Sequence, residues 1–252
     1  MMEHNHKNPS NEQSKNGKHR KILLLIVSGI AVIAIVGAIV YAILSQNRCN
    51  ASSEGFYAEN LPEKSNLVDK PILYLYPQTE TDVTVCLGNP QNLTCSYPLY
   101  QSSGWMVRAN ADGELVDLQT GRSLYALYYE STAVTDFAIE PEGFVVKGIN
   151  TVAFLEQALA ALGLTEREAE EFILYWLPAL QKNEYNYIRF TSADEINENM
   201  PLSITPTPDT VIRVWMTYKG LHEPITVTAQ ELTAPERDGF TVVEWGGTEI
   251  LN

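Results

Sequence analysis

Two acidic residues of the sequence stand beside aromatic residues in a pattern typical of carbohydrate sites. Glu130 follows Tyr128-Tyr129, and Glu244 precedes Trp245. Glycoside hydrolysis uses two carboxylates that flank the sugar bond, and aromatic rings offer faces on which a sugar packs. Both glutamates are equally typical of strand ends that face water. The candidate catalytic residues are therefore Glu130 and Glu244, and the candidate ligand-binding residues are Trp105, Tyr128, Tyr129 and Trp245.

A nucleophilic enzyme would need a histidine as its base, and the sequence offers only one in a suitable place. His222 is the single histidine beyond residues 1–21. It lies among the turn-forming residues 220–224, which is typical of a solvated loop histidine. Phosphate-binding glycine loops and dinucleotide fingerprints are absent, because Gly246-Gly247 is followed by neither a lysine nor a helix. The sequence predicts no cofactor.

Oxygen-bearing side chains surround one turn and suggest a calcium loop. The turn contains Asp112-Gly113, which is also typical of a plain hairpin turn. The spacing of an EF-hand, with its closing bidentate glutamate, is missing. Zinc is disfavoured because no paired cysteine spacing occurs. We therefore predict no metal site, although the oxygen-bearing residues weighed for one are Asn110, Asp112, Glu114 and Asp117.

Three cysteines lie at positions 49, 86 and 95. Two β-rich runs, residues 82–87 and 93–97, are separated by five turn-forming residues, which predicts a hairpin. If its strands pair with Cys86 opposite Cys95, the two can form a disulfide bond. A register slip of one residue would instead leave two buried thiols, so both outcomes remain open. Cys49 is then either a free thiol or a link to another chain.

One uncharged apolar segment, residues 22–44, is long enough to cross a membrane. As a helix its 23 residues would span about 34 Å at 1.5 Å per residue. Residues 1–21 carry five lysines and arginines against two acidic residues, which places this tail in the cytoplasm. A cleaved signal peptide is the alternative, but its apolar region is usually shorter. The sequence predicts a single-pass signal-anchor at the cell membrane, with residues 22–44 as the membrane partner.

The part beyond the span is strongly acidic. Residues 45–252 carry 12 basic and 29 acidic side chains, and such a surface repels nucleic acids and anionic lipids. Residues 45–70 are polar and lack periodicity, which predicts a flexible stalk. Residues 71–252 are then an acidic extracytoplasmic domain. Its remaining candidate partners are a carbohydrate or a protein surface ligand, and the oligomeric state stays open.

The first strand of this domain is predicted at residues 71–77, bounded by prolines at both ends. Because proline cannot donate a hydrogen bond to a neighbouring strand, the pattern predicts an edge strand. Further β-rich runs follow at residues 105–109, 114–118, 123–130 and 144–147.

The hydrophobic period then changes to that of a helix. Leucines recur at helical spacing within residues 151–162, and Gly163 supplies the stop. A second helix begins after the N-cap Thr165, with Glu168 completing a capping box. Pro178 predicts a kink there or an end one residue earlier.

Strand-like runs return after this helical hairpin, at residues 186–191, 210–218, 225–230 and 240–245. The hairpin therefore lies between two groups of strands. This order is typical of an α+β fold with a mostly antiparallel sheet.

Four separated motifs carry a resemblance to a known group of proteins. They are K-P-I-L-Y-L-Y-P at 70–77, G-W with a later D-G at 104–113, Y-W-L-P at 175–178 and F-T-V-V-E-W-G-G at 240–247. In this order they resemble an uncharacterised family of microbial secreted or membrane-anchored proteins. The resemblance implies an extracytoplasmic domain and supplies no catalytic residues.

These observations favour a non-enzymatic binding or interaction module at the outer face of a membrane. The alternative is a membrane-anchored, glycosidase-like hydrolase that acts through carboxylates. A purely structural surface protein without a ligand is the third reading. A cleft where carboxylates and aromatic rings meet would distinguish the first two hypotheses from the third.

Overall fold

A computed structural model describes residues 67–132 and 137–251 of the chain. The predicted tail 1–21, the predicted span 22–44 and most of the predicted stalk lie outside these residues. Within the described ranges, no helix combines the length and the apolar character that a membrane crossing requires.

Strands and three helices alternate along this described part. The strands are β1 (Leu67–Tyr76), β2 (Thr81–Leu87), β3 (Leu93–Tyr97), β4 (Trp105–Ala109), β5 (Leu115–Asp117), β6 (Ser123–Leu124), β7 (Leu127–Thr132), β8 (Phe144–Lys147), β9 (Tyr185–Thr191), β10 (Leu202–Thr205), β11 (Thr210–Leu221) and β12 (Thr241–Glu249). The helices are α1 (Thr151–Ala161), α2 (Glu166–Leu180) and α3 (Ala193–Asn199).

The strands form a seven-stranded sheet and a five-stranded sheet. The larger sheet has the order β3-β7-β1-β12-β11-β9-β8, and the smaller has the order β10-β2-β4-β5-β6. Neighbouring strands are antiparallel except β11 and β12, which run parallel. The predicted α+β class with mostly antiparallel sheets is confirmed.

The larger sheet is the middle of three layers, because successive side chains of a strand point to opposite faces. In β1, Ile72 and Tyr74 pack with the helices α1 and α2. The alternate residues Leu73 and Leu75 pack against the five-stranded sheet. Both faces of this strand are therefore buried.

The helical hairpin has the predicted caps. Gly163 has φ +82°, a left-handed conformation that ends α1 at little cost for glycine. Thr165 and Glu168 form the reciprocal capping box of α2. α2 continues through Pro178 to Leu180, so the predicted end near Leu177 is wrong, while the alternative of a kink at Pro178 stays a prediction.

The prediction that the first strand lies at an edge is wrong. β1 lies between β7 and β12, near the centre of the larger sheet. The register of β1 against β12 shifts between Asp69 and Ile72, and Pro71 lies inside this bulge. A bulge leaves backbone groups unpaired, so a proline there removes no ladder hydrogen bond. The strand begins at Leu67, so residues 67–70 are not part of a stalk.

Three other local predictions fail. Residues 82–87 and 93–97 do not form a hairpin, because β2 and β3 belong to different sheets. Residues 225–230 form no strand and contribute only an isolated bridge at Thr228. The helix α3 was missed, although Ser192 and Glu195 form a capping box at its start.

Candidate functional site

The two candidate catalytic glutamates lie on opposite faces of the seven-stranded sheet. The Tyr128 hydroxyl donates a hydrogen bond to Glu130, whereas the Tyr129 hydroxyl donates to Glu244 Oε1 at 2.9 Å. Tyr128 and Tyr129 are consecutive in β7, so they point to opposite faces. The geometry excludes a two-carboxylate site built from Glu130 and Glu244.

Glu244 is part of a buried ion pair. Arg213 Nε donates to Glu244 Oε2 at 2.6 Å, and the two side chains are only 3% and 0% exposed. The Arg213 Nη1 atom also donates to Asn197 Oδ1 at 2.8 Å. Arg213 therefore links the Glu244 carboxylate in the sheet to Asn197 in α3. A carboxylate that is enclosed and neutralised in this way has no access to a substrate.

Three of the four candidate aromatic residues belong to the core. Trp105 is buried and donates from Nε1 to the Pro98 carbonyl at 2.7 Å. Trp245 is fully buried against the helices, and Tyr129 is buried on the opposite face. Only Tyr128 is half-exposed. The aromatic pattern therefore identified mainly packing residues.

The predicted disulfide bond between Cys86 and Cys95 is wrong. Cys95 has a free and exposed thiol, whereas Cys86 is disulfide-bonded. The strand pairing explains the difference, because Cys86 in β2 is opposite Ser203 while Cys95 in β3 is opposite Glu130. Cys49 lies outside the described residues.

The oxygen-rich turn uses its polar side chains for its own backbone. Asn110 Oδ1 accepts from the backbone N–H groups of Asp112 and Glu114 at 3.0 and 2.9 Å. Asp117 Oδ1 accepts from the Gln119 N–H at 3.1 Å. Among the described residues, no three histidine, cysteine or acidic side chains group as metal ligands. His222 is exposed in its loop.

A different set of chemical groups meets at one end of the seven-stranded sheet. Asp69 in β1 is opposite Gly247 in β12, and Glu249 in β12 is opposite Tyr218 in β11. Glu130 lies in β7, on the other side of β1, and Tyr175 reaches this end from α2. We call this set the Asp69 cluster; its members are Asp69, Lys70, Glu130, Tyr175, Tyr218 and Glu249.

The backbone of Lys70 is strained. Its φ of 55° lies in the left-handed region, which residues other than glycine rarely adopt, and such strain concentrates at functional sites. The bulge in β1 holds this conformation and turns the Lys70 side chain toward α2. The Lys70 ammonium lies 4.6 Å from the centre of the Tyr175 ring, a distance at which the ring attracts a cation.

Burial and neighbouring charges raise the pKa of three members of the cluster. Burial, followed by the charges of Glu130 and Glu249, raises the pKa of Asp69 from 3.8 to about 6. Burial and the charges of Asp69 and Glu130 raise the pKa of Tyr175 to about 12. Burial and the Glu249 carboxylate raise the pKa of Tyr218. A perturbed carboxyl beside other titratable groups marks a candidate functional site.

Three of the sequence motifs meet beneath this cluster. A Cβ atom at Gly246 would lie 3.2 Å from Pro71 Cα, and one at Gly247 would lie 2.8 Å from Trp176 Cζ2. The Trp176 ring also meets the rings of Tyr175 and Tyr218 edge-on, at 4.8 and 5.8 Å. Trp176 Nε1 is buried and has no hydrogen-bond partner in the part of the chain that the structure describes. The motifs at 70–77, 175–178 and 240–247 thus build one site.

Sequence reasoning missed most of this cluster. Asp69 fell in the predicted stalk, and Glu249 lies beyond the last predicted strand. The available signal was the set of motifs, because Lys70, Tyr175 and Gly247 all belong to them. Of the proposed catalytic and ligand-binding residues, Glu130 is a member, and Tyr128 is its hydrogen-bond donor.

The Asp69→Asn substitution should make the protein more stable at neutral pH. The pKa of Asp69 is higher in the folded state than in the unfolded state, so folding favours its protonated form. This contribution is complete below pH 4 and is lost as the pH rises through about 6. Asparagine resembles the protonated acid. Allowing for the half-exposed position, we expect a gain of about 1–2 kcal/mol at pH 8 and none at pH 3.5.

Urea unfolding of the chain, followed by tryptophan fluorescence between pH 3.5 and 8, measures this difference. Glu114→Gln is the control, since Glu114 is exposed and outside the cluster. A gain from Asp69→Asn that does not depend on pH would contradict the assignment.

Comparison of the chain with known proteins identifies no relative. No family model matches the sequence, no curated protein matches it, and no solved structure matches the fold.

Proposed function

We propose that this chain is a single-pass membrane protein whose outer domain is a binding module, and that its ligand is a carbohydrate held at the Asp69 cluster. The observation that carries the proposal is the meeting of three carboxylates, two tyrosines and the strained Lys70 at one end of the sheet. The placement of the domain rests on the uncharged residues 22–44 and the basic residues before them.

The chemistry of the cluster suits a ligand rich in hydroxyl groups. Carboxylates are strong acceptors for sugar hydroxyls, because a hydrogen bond to a charged group is stronger than a neutral one. Tyrosine rings provide apolar faces with a polar edge. Asp69, Glu130, Glu249 and Tyr175 are all half-exposed, so a ligand from solvent can reach them.

The extracytoplasmic placement can be tested through Cys95, whose thiol is free and exposed. A membrane-impermeant maleimide should label Cys95 on intact cells, and a Cys95→Ser variant should lose this labelling. Labelling that occurs only after lysis would contradict the placement.

The ligand can be identified with the full-length chain in lipid nanodiscs. Screening on an array of cell-wall glycans should give a carbohydrate that binds, and isothermal titration calorimetry then measures its affinity. The double substitution Asp69→Asn with Glu130→Gln should weaken binding at least about tenfold, because a neutral amide oxygen accepts a weaker hydrogen bond than a carboxylate oxygen does. Glu114→Gln should leave the affinity unchanged.

The pH dependence of binding provides a second readout. A ligand that donates hydrogen bonds to Asp69 binds the ionised carboxylate, whose pKa is about 6 in the free protein. The affinity of the unchanged protein should therefore rise between pH 5 and pH 7. The affinity of the Asp69→Asn variant should not show this rise. The proposal would be contradicted if no glycan on the array bound the protein, or if the double variant bound as tightly as the unchanged protein.

The hydrolase hypothesis now has a different candidate pair. The pKa of Asp69 is raised to about 6, in part by the charge of Glu130, and a carboxyl with a raised pKa is the kind of group that serves as a general acid. Release of reducing sugar from a bound glycan, abolished by Asp69→Asn, would replace binding with hydrolysis as the function.

A further inference from the structure

A second surface with a defined shape lies on the helical hairpin. An open groove of about 660 Å³ runs between α1 and α2. It does not include any residue of the Asp69 cluster, so an inference from it stands independently of the proposed carbohydrate site. Its lining residues on α2 are Glu166, Ala169, Glu170, Ile173 and Leu174, and the others are Glu156, Ala160 and Leu164.

The floor of the groove is apolar, and two of its side chains are small. Ala160 and Ala169 lie on the facing helices, and their small side chains allow another backbone to approach closely. Leu174 is 68% exposed, although leucine at this position of an amphipathic helix gains stability when it is covered. Ile173 is only partly buried against the core. The groove therefore offers uncovered apolar surface.

The rim of the groove carries a single sign of charge. Its charged lining residues are Glu156, Glu166 and Glu170, and all three are exposed. The nearest arginine of α2 is directed elsewhere, since Arg167 pairs with Glu171 at 3.4 Å and lies over the Tyr125 ring at 5.0 Å. Among the described residues no basic side chain lines the groove, so the rim favours a positively charged occupant.

We infer that this groove docks a basic amphipathic helix of a partner protein. Helix-in-groove recognition uses apolar anchors at i, i+3 or i+4 and i+7. The groove extends along α2 from Glu166 to Leu174, about 12 Å at 1.5 Å per residue, which accommodates two turns of a helix. Lysines or arginines beside the anchors then face the three glutamates.

The same features argue against other occupants. An anionic membrane surface would be repelled by Glu156, Glu166 and Glu170. A second copy of this chain would bring an identical acidic rim against the first, because a two-fold interface repeats the same patch. Opposite charge on the partner removes both conflicts.

The probe for this inference is a designed 14-residue helix with leucines on one stripe and lysines elsewhere. Its matched control has glutamates in place of the lysines, with the leucines unchanged. Fluorescence anisotropy of each labelled peptide is measured against the full-length chain in nanodiscs of zwitterionic lipid, and against empty nanodiscs. We expect the lysine peptide to bind the protein and the glutamate peptide to bind at least about tenfold more weakly.

Two exposed positions locate the binding on the protein. Leu174→Ser removes the exposed anchor, and Glu166→Gln with Glu170→Gln removes rim charge. Each variant should lower the affinity for the lysine peptide at least about fivefold. Ile149→Ser is the matched control, because Ile149 is 85% exposed and lies outside the groove. Equal affinity for the two peptides, an unchanged affinity of the Leu174→Ser variant, or no binding above empty nanodiscs would overturn the inference.

Discussion

Replacing Arg213 by methionine should lower the free energy of unfolding by about 3–5 kcal/mol, because it leaves a buried carboxylate without its counter-charge. Glu244 is fully buried and receives hydrogen bonds from Tyr129 and Arg213. Methionine has a similar length but no donor, so the buried Glu244 carboxylate loses its counter-charge and the hydrogen bond from Arg213. Urea unfolding of the chain at pH 7.5 measures the loss.

A second substitution distinguishes the loss of a partner from the loss of packing. Adding Glu244→Leu to Arg213→Met removes both charges, and we expect much of the stability to return, since apolar replacements of buried ion pairs are often neutral. The surface control is Arg108→Met, which breaks a 2.6 Å contact with Asp82 between two exposed side chains. Equal effects of Arg213→Met and Arg108→Met would contradict the structural role assigned to Glu244.

The sequence predicts the helical hairpin of α1 and α2 well because its signals are local. The capping box of Thr165 and Glu168 and the stop at Gly163 each depend on residues within one turn. The strands β4 and β8 were also predicted with the bounds that they have. In all these cases a short segment contains the information that determines it.

Strand pairing could not be predicted in the same way. The turn between β2 and β3 predicts a hairpin, yet the two strands pair in different sheets and contribute Leu87 and Leu93 to the same core between those sheets. Pro71 predicts an edge, yet the bulge at Asp69 and Lys70 removes the need for its N–H. Tertiary packing of distant segments decides both outcomes, and a single sequence gives no direct measure of it.

The candidate site was partly hidden for the same reason. The sequence singled out Glu130 and Glu244 as a pair. In β7 the consecutive residues Tyr128 and Tyr129 point to opposite faces of the sheet, and each donates a hydrogen bond to a different one of the two glutamates. Asp69 is an ordinary acidic residue in the sequence. Only the approach of β7 and β12 on either side of β1 gives it acidic neighbours and a pKa of about 6.

Gly247→Ala should destabilise the protein by about 3 kcal/mol, through overpacking at the base of the Asp69 cluster. A Cβ atom at Gly247 would lie 2.6 Å from the Met216 carbonyl oxygen and 2.8 Å from Trp176 Cζ2. The first neighbour is backbone in the centre of the sheet, and the second is a buried ring, so neither moves away at low cost. Thermal and urea unfolding measure the loss.

The control for this substitution is Gly121→Ala. No atom of the described residues lies within 4 Å of the Cβ position of Gly121, but its φ is +71°, so alanine there should cost about 1 kcal/mol from backbone strain alone. Because Gly247 is opposite Asp69, alanine at 247 should also shift the β1 bulge and weaken the proposed carbohydrate binding at the cluster, while alanine at 121 should not. A Gly247→Ala protein as stable as Gly121→Ala would contradict the close packing of Trp176 on β12, and with it the argument that three sequence motifs build one site.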